Sequence, residues 1–288
     1  MQRGVFMILS VCTISFRHQL ISIDQLAQWA KNNHFKGIEL WGAHAKNLAC
    51  QPRYNQAWLS EYGLKTTMLS DYLPLNATEN ELRKQVESLC HLAKHWGTKK
   101  IRTFAGTTAS ADTSNDTFTE LTLALRKACQ WLAQHGLTLI IETHPNTFAD
   151  TVASTQKIIE HVDCNNLKIN FDVLHVWESK ADIITSLEIL KPYINHFHLK
   201  NVSSADLLEV FSPATVYSAS GSREGIVPLF EGVVNYKSFL NHVNNHPDKN
   251  IRQMEASLEW FGNDCKKILT RDRYLIQQLQ QQPLAKAV

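Results

Sequence analysis

The chain has 288 residues, 44% hydrophobic and 19% charged, with a formal net charge of +2. That is apolar material for one large core or two small ones, without the basic surplus of a nucleic-acid binder or the acidic surplus of a disordered chain. Six cysteines (Cys12, Cys50, Cys90, Cys129, Cys164, Cys265) lie singly with no CxxC pair, as in a reduced, cytoplasmic protein and not a disulfide scaffold or zinc knuckle.

At the N-terminus, Arg3 and the run VFMILSVC have the charged and apolar regions of a signal peptide but no small-residue cleavage site. Residues 1–10 are therefore expected to be a short peripheral leader running into a first strand within FMILSVCTIS. No apolar run approaches the roughly 20 residues of a membrane span, so no membrane partner is expected. Further along, GIELW (37–41), KTTMLS (65–70), KIRTF (100–104), LTLIIET (137–143), LKINFD (167–172), INHFHLK (194–200) and ASLEW (256–260) are apolar, β-type runs. Helix-like segments alternate with them: IDQLAQWAKNN, NQAWLSEYG, ENELRKQVESLCHLAKHWG, FTELTLALRKACQWLAQHG, STQKIIEHV, ADIITSLEIL, YKSFLNHVNN and CKKILTRDRYLIQQLQ. Ser22 with Gln25 and Thr78 with Glu81 match capping boxes, and Gly97 and Gly136 stand where helices end.

Strict alternation of this kind predicts a parallel sheet, and eight units predict an α/β fold of one domain, a single (β/α)₈ TIM barrel over residues 1–288. No GxGxxG or GxxxxGK[ST] follows any strand, which counts against dinucleotide and P-loop folds. Residues 201–234 form one long connection after strand seven, on the face where barrel active sites lie, and read as a substrate loop. The Gln-rich tail, 276–288, is expected to be peripheral.

Polar residues of one parity gather at the strand ends. Strand two ends in Glu39 and Trp41, strand four in Arg102 and Phe104, strand five in Glu142 and His144, and strand six in Asn170 and Asp172. Strand seven brings His196, His198 and Lys200, and strand eight Ser257 and Glu259. A barrel interior is ordinarily filled by Val, Ile and Leu, so carboxylates aimed there need a cation. Glu142, Asp172, His198 and Glu259 come from four consecutive strands, and three oxygens with one imidazole suit one divalent metal ion, Mn²⁺ or Mg²⁺. Asp172 can equally be a helix N-cap, and His196 competes with His198 by the same parity. His144 and His175 stand beside the ligands as groups for proton transfer. Arg102 and Lys200 are cations suited to an anionic small-molecule substrate. Trp41 is an apolar wall or core, and Tyr217 and Arg223 are loop residues placed to close over a substrate.

These stretches resemble a known family. ELWGAHA, ETHPNT and FDVLHVWES, with CTISFRHQLIS, KIRTFAG, HFHLKNVSSADLLEVF and SLEWFG, are similar to the 3-dehydroshikimate dehydratases of catecholate siderophore pathways, within the xylose-isomerase-like superfamily. The resemblance spans residues 12 to about 265. It implies a divalent metal at Glu142, Asp172, His198 and Glu259, acid/base histidines at His144 and His175, and substrate contacts at Arg102, Lys200 and the region of Tyr217. Position alone, at a strand end or in the long loop, adds Glu39, Trp41 and Arg223 as candidate substrate contacts. The resemblance also implies conversion of 3-dehydroshikimate to protocatechuate through a metal-stabilised enediolate. The alternative is a sugar isomerase or epimerase using the same metal and base. An endonuclease IV-like phosphodiesterase comes third and a non-catalytic binding barrel last.

Overall fold

A computed structural model describes residues 7–281. Eight parallel strands close into a barrel. In chain order these are β1 (Ile8–Cys12), β2 (Gly37–Trp41), β3 (Lys65–Ser70), β4 (Lys100–Thr103), β5 (Thr138–Glu142), β6 (Leu167–Asp172) and β7 (Ile194–Leu199). Two short antiparallel strands follow, β8 (Asn201–Val202) and β9 (Ile226–Val227), and then β10 (Glu255–Leu258), which closes the ring between β7 and β1. The expected eight-stranded barrel is therefore the observed one, with each strand within a few residues of its predicted place.

Strand alternation divides the barrel into two environments. Leu9, Val11, Ile38, Ile101, Leu139, Ile141, Ile169, Phe171, Phe197 and Leu199 point outward and are buried in the apolar core. Phe197, for example, meets Phe239 of the helix Tyr236–Asn245 edge-on, with ring centroids 5.5 Å apart. The inward set is polar: Ser10, Glu39, Arg102, Glu142, Asn170, Asp172, His196, His198 and Ser257 are all buried. The helices start where their sequences say. Ser22 with Gln25 and Thr78 with Glu81 form reciprocal capping boxes, and Gly97 takes the left-handed conformation (φ 68°) that ends the helix Glu79–Trp96.

Two boundaries differ from expectation. The peripheral leader, 1–10, is shorter, because Ile8–Ser10 belong to β1 and Ser10 bonds Ser257 across the barrel at 2.8 Å. The tail from 276 is not peripheral either: the last helix runs Cys265–Gln281 and Ile276 is fully buried. An amphipathic pattern diluted by glutamines hid that packing. The rest of the expected leader and tail lies outside the described residues. Short helices at Gly42–Ala49, Val173–Glu178, Pro213–Tyr217 and Lys249–Arg252 were not expected, each too short for a periodic signal. Among the described residues no helix is long and apolar enough to cross a membrane.

The long connection after β7 carries a 3₁₀ segment, Ala205–Phe211, and the helix Pro213–Tyr217 over the barrel mouth. Its return is pinned by Asp272 of the last helix, whose carboxylate accepts from the Leu229 amide at 3.1 Å. Burial pushes the Asp272 carboxyl up to about 7. A carboxyl raised in the folded state contributes stability at low pH that is lost as pH climbs through its folded value. Asp272→Asn is accordingly expected to match the parent in urea denaturation near pH 4 and to exceed it near pH 8; equal midpoints at both pH values would show that Asp272 is solvated.

Candidate active site

The C-terminal ends of the strands bring the expected charged residues together. Glu142 ends β5, Asp172 ends β6, His198 lies in β7, and Glu259 follows β10. His198 Nδ1 faces Glu142 Oε1 at 3.4 Å, Glu259 Oε2 at 3.5 Å and Asp172 Oδ2 at 3.8 Å, and has no hydrogen-bond partner. Glu142, Asp172 and His198 offer ligand atoms within 4.8 Å of one another, close enough to share one small divalent cation, and Glu259 stands beside His198 next to them. The competing His196 sits one layer deeper, bonded through Nε2 to Ser257 Oγ at 2.7 Å, away from the three carboxylates. Asp172 is the helix N-cap that its sequence allowed, and its second oxygen remains turned to the carboxylate cluster. Its Oδ1 accepts from the amides of Leu174 and His175 and caps the helix Val173–Glu178, while Oδ2 faces the cluster.

Two cations share the cluster. Lys200 Nζ donates to Asp172 Oδ2 at 2.6 Å and to Glu259 Oε2 at 2.8 Å. Arg102 Nε lies 3.1 Å from Glu142 Oε2, an ion pair not aligned as a hydrogen bond, and its buried Nη1 is without a partner. The electrostatics follow from this crowding. Burial works to raise the Glu142 and Glu259 carboxyls, but the neighbouring cations and His198 outweigh it and hold both well below the usual carboxylate range. Burial opposes charge on Lys200 too, yet Asp172 and Glu259 lift its ammonium well above the ordinary value.

A pocket opens above these groups, lined by Arg102, Glu142, His144, His175, Lys200 and Glu259 together with Ile14, Tyr72, Phe104, Phe211, Tyr217 and Phe261. The His144 and His175 rings are 4.4 Å apart. His144 Nδ1 donates to the Pro145 carbonyl at 2.7 Å, which leaves Nε2 as the unprotonated nitrogen. Burial, and then His175, push the His144 imidazole down to about 3, so the ring is neutral near pH 7. His175 Nδ1 donates to Glu178 Oε2 at 2.7 Å, and its buried Nε2 has no partner.

Three expected substrate contacts are placed elsewhere. Glu39 is fully buried beneath His198 and does not line the pocket. Trp41 stacks behind Tyr217, with ring centroids 5.9 Å apart, and also does not line it. Arg223 points back into its own loop, donating to the carbonyls of Thr215 and Ser218 at 3.0 and 2.7 Å. Tyr217 does reach the mouth, where its hydroxyl bonds that of Tyr72 at 2.5 Å. Tyr72 was missed by the sequence reading, although a signal was there. It follows Ser70 by two residues, the same step that separates His144 from Glu142.

A family model described as "Xylose isomerase-like TIM barrel" matches residues 27–280. The chain belongs to that family. Within the family it is 47% identical over 266 residues to the 3-dehydroshikimate dehydratase of Bacillus anthracis, covering 90% of this chain and 93% of that one. Its fold is similar to the crystal structure of the probable 3-DHS dehydratase AsbF, involved in petrobactin synthesis, from Bacillus anthracis (TM-score 0.88, 46% identity, 94% of this chain and 99% of that chain). A structure of the IolI protein with a bound zinc atom shares the fold at 14% identity, with a TM-score of 0.70 over 95% of this chain and 96% of that one.

Removing one partner of a buried ion pair leaves the other unpaired, at a cost of about 3–5 kcal/mol. Lys200→Met should therefore lose that much stability to urea in chelator, and part of the loss should return when Mn²⁺ is added. An unchanged midpoint would mean that the ammonium makes no net contribution at this site.

Proposed function

We propose that the chain is a lyase that dehydrates 3-dehydroshikimate to protocatechuate, with one divalent ion, Mn²⁺ or Mg²⁺, held by Glu142, Asp172, His198 and Glu259. The observation that carries this reading is the partnerless His198 Nδ1 facing three carboxylate oxygens at 3.4–3.8 Å beneath a pocket walled by two histidines and an arginine whose Nε and Nη1 lack hydrogen-bond partners. The 47% identity to a 3-dehydroshikimate dehydratase supports the substrate and the reaction class. When bound, the ion supplies Lewis-acid stabilisation for the charge that develops on the substrate's oxygens.

The chain's own groups do the rest. Arg102 offers its free Nη1 to the substrate carboxylate, beside the Tyr72 and Tyr217 hydroxyls. Phe104, Phe211 and Phe261 exclude water from the ring's surroundings. His144, unprotonated at Nε2, takes the ring proton beside the ketone. His175 delivers a proton through Nε2 to the departing hydroxyl, and Glu178 orients its ring and offsets the charge carried with the second proton. One C–H and one C–O bond break, water leaves, and the ring's remaining tautomerisation gives the aromatic acid. Aromaticity makes the step effectively irreversible.

Purified protein with Mn²⁺ or Mg²⁺ should form protocatechuate from 3-dehydroshikimate, followed by ultraviolet absorbance, and chelation should abolish turnover while the fold persists. Folded, metal-loaded protein that made none would end this reading, and turnover of a ketose instead would favour the isomerase. The division of labour has its own test. His144→Ala should lower kcat by ~10²–10⁴ with metal content intact and stop exchange of the substrate's acidic hydrogen with deuterated water. His175→Ala should slow product formation while that exchange continues; the opposite pattern would reverse the two roles.

A further inference from the structure

Glu39 is a carboxylate sealed inside the barrel, with no exposure to solvent and no place in the pocket wall. It is held by three strands at once. It rises from β2, accepts from the Ser70 hydroxyl at the end of β3, and its Oε2 lies 2.9 Å from His198 Nε2 on β7. A carboxylate can only accept there, so Nε2 carries the imidazole proton and Nδ1 is left with its lone pair towards Glu142, Asp172 and Glu259. A lone pair facing three carboxylate oxygens is repulsive unless a proton or a metal ion lies between them, and a ligated ion takes the place of that second proton. Glu39 also changes the charge count. Glu39, Glu142, Asp172 and Glu259 carry four formal negative charges against two positive charges on Arg102 and Lys200, a difference of two. Without Glu39 the difference would be one.

We propose that Glu39 is a positioning residue for the metal: it fixes the His198 ring so that Nδ1 is the ligating atom, and it brings the buried cluster to the charge that a divalent ion neutralises. The inference rests on the metal reading above and deepens it. It assigns affinity and ionic charge preference to a residue that never touches the ion, as outer carboxylates do for ligating histidines elsewhere. Ser70 in turn holds Glu39 in place. His196 Nε2, 3.6 Å from Glu39 Oε2, is engaged by Ser257, which leaves His198 as the donor to that oxygen.

The test is a Mn²⁺ titration of chelator-stripped protein, reading free Mn²⁺ by electron paramagnetic resonance, for the parent and for Glu39→Gln. The amide keeps an acceptor for Nε2–H and removes the charge. Its Mn²⁺ dissociation constant should rise 10–100-fold. Its metal-free melting temperature should hold or rise, since a buried anion is gone, and its kcat should recover at saturating Mn²⁺. An affinity within threefold of the parent in folded Glu39→Gln would overturn the proposal. A parallel measurement needs no variant. In the parent loaded with diamagnetic Mg²⁺, nitrogen–proton correlation spectra should show the His198 proton on Nε2, and a proton on Nδ1 would overturn the assignment. A parent that bound no Mn²⁺ would instead remove the metal reading itself, an outcome distinct from a parent that binds and a variant that binds equally well.

Discussion

Four carboxylates buried within one barrel set the terms for everything around them. Each would cost several kcal/mol if left alone in a low-dielectric interior. Their partners come from other strands: Arg102 from β4, His198 from β7, and Lys200 from the residue after β7. Glu39 comes from β2 and Glu259 from just past β10, on either side of β1 in the ring. No sub-fragment of the chain holds a neutral version of this cluster. Barrel closure is what makes the charges compatible, and it leaves His198 Nδ1 facing three carboxylate oxygens.

A second consequence is that the apolar core lies outside the strands. In many barrels the interior is packed with branched aliphatic layers. Here Ser10, Thr67, His196 and Ser257 link beneath the mouth through bonds of 2.7–3.1 Å. Ile140 points inward among these polar groups, while its neighbours Leu139 and Ile141 pack outward. Stability therefore rests on the strand–helix layer, with Phe171, Phe197 and Phe239 at its heart, while the interior specialises in holding charge. Such a division lets the inner layer depart from good packing without loosening the fold.

This separation also explains what could be read from the sequence. The outward face gave clear period-two runs, and the polar inward face made parity visible, so strands and mouth residues were found together. Parity fixes direction but not depth. Glu39 points inward as expected, yet β2 shifts register against β3 between Ile38 and Glu39, and the side chain ends beneath His198 and not in the pocket. Trp41 and Arg223 failed for other reasons. Trp41 stands behind a loop residue whose position only tertiary structure gives, and Arg223 lies in a connection without periodicity, where its donors satisfy local carbonyls. Glu178 was invisible because a partner for His175 three residues along required a helix too short to predict.

That short helix ties one of the two proposed proton carriers, His175, to the carboxylate cluster. Asp172 Oδ1 accepts from the His175 amide at 3.2 Å while Oδ2 faces Lys200 and His198. A single carboxylate thus fixes both the start of the helix that carries His175 and one wall of the proposed cation site. His144 reaches the same point by a different route. It continues the parity of Glu142 beyond β5, and the Pro145 carbonyl holds its ring. On the proposed reading, the acid is positioned through Asp172 and the base through Glu142. Any displacement of the cluster therefore moves both histidines relative to the substrate, and metal binding and proton transfer are one mechanical unit instead of two adjacent functions.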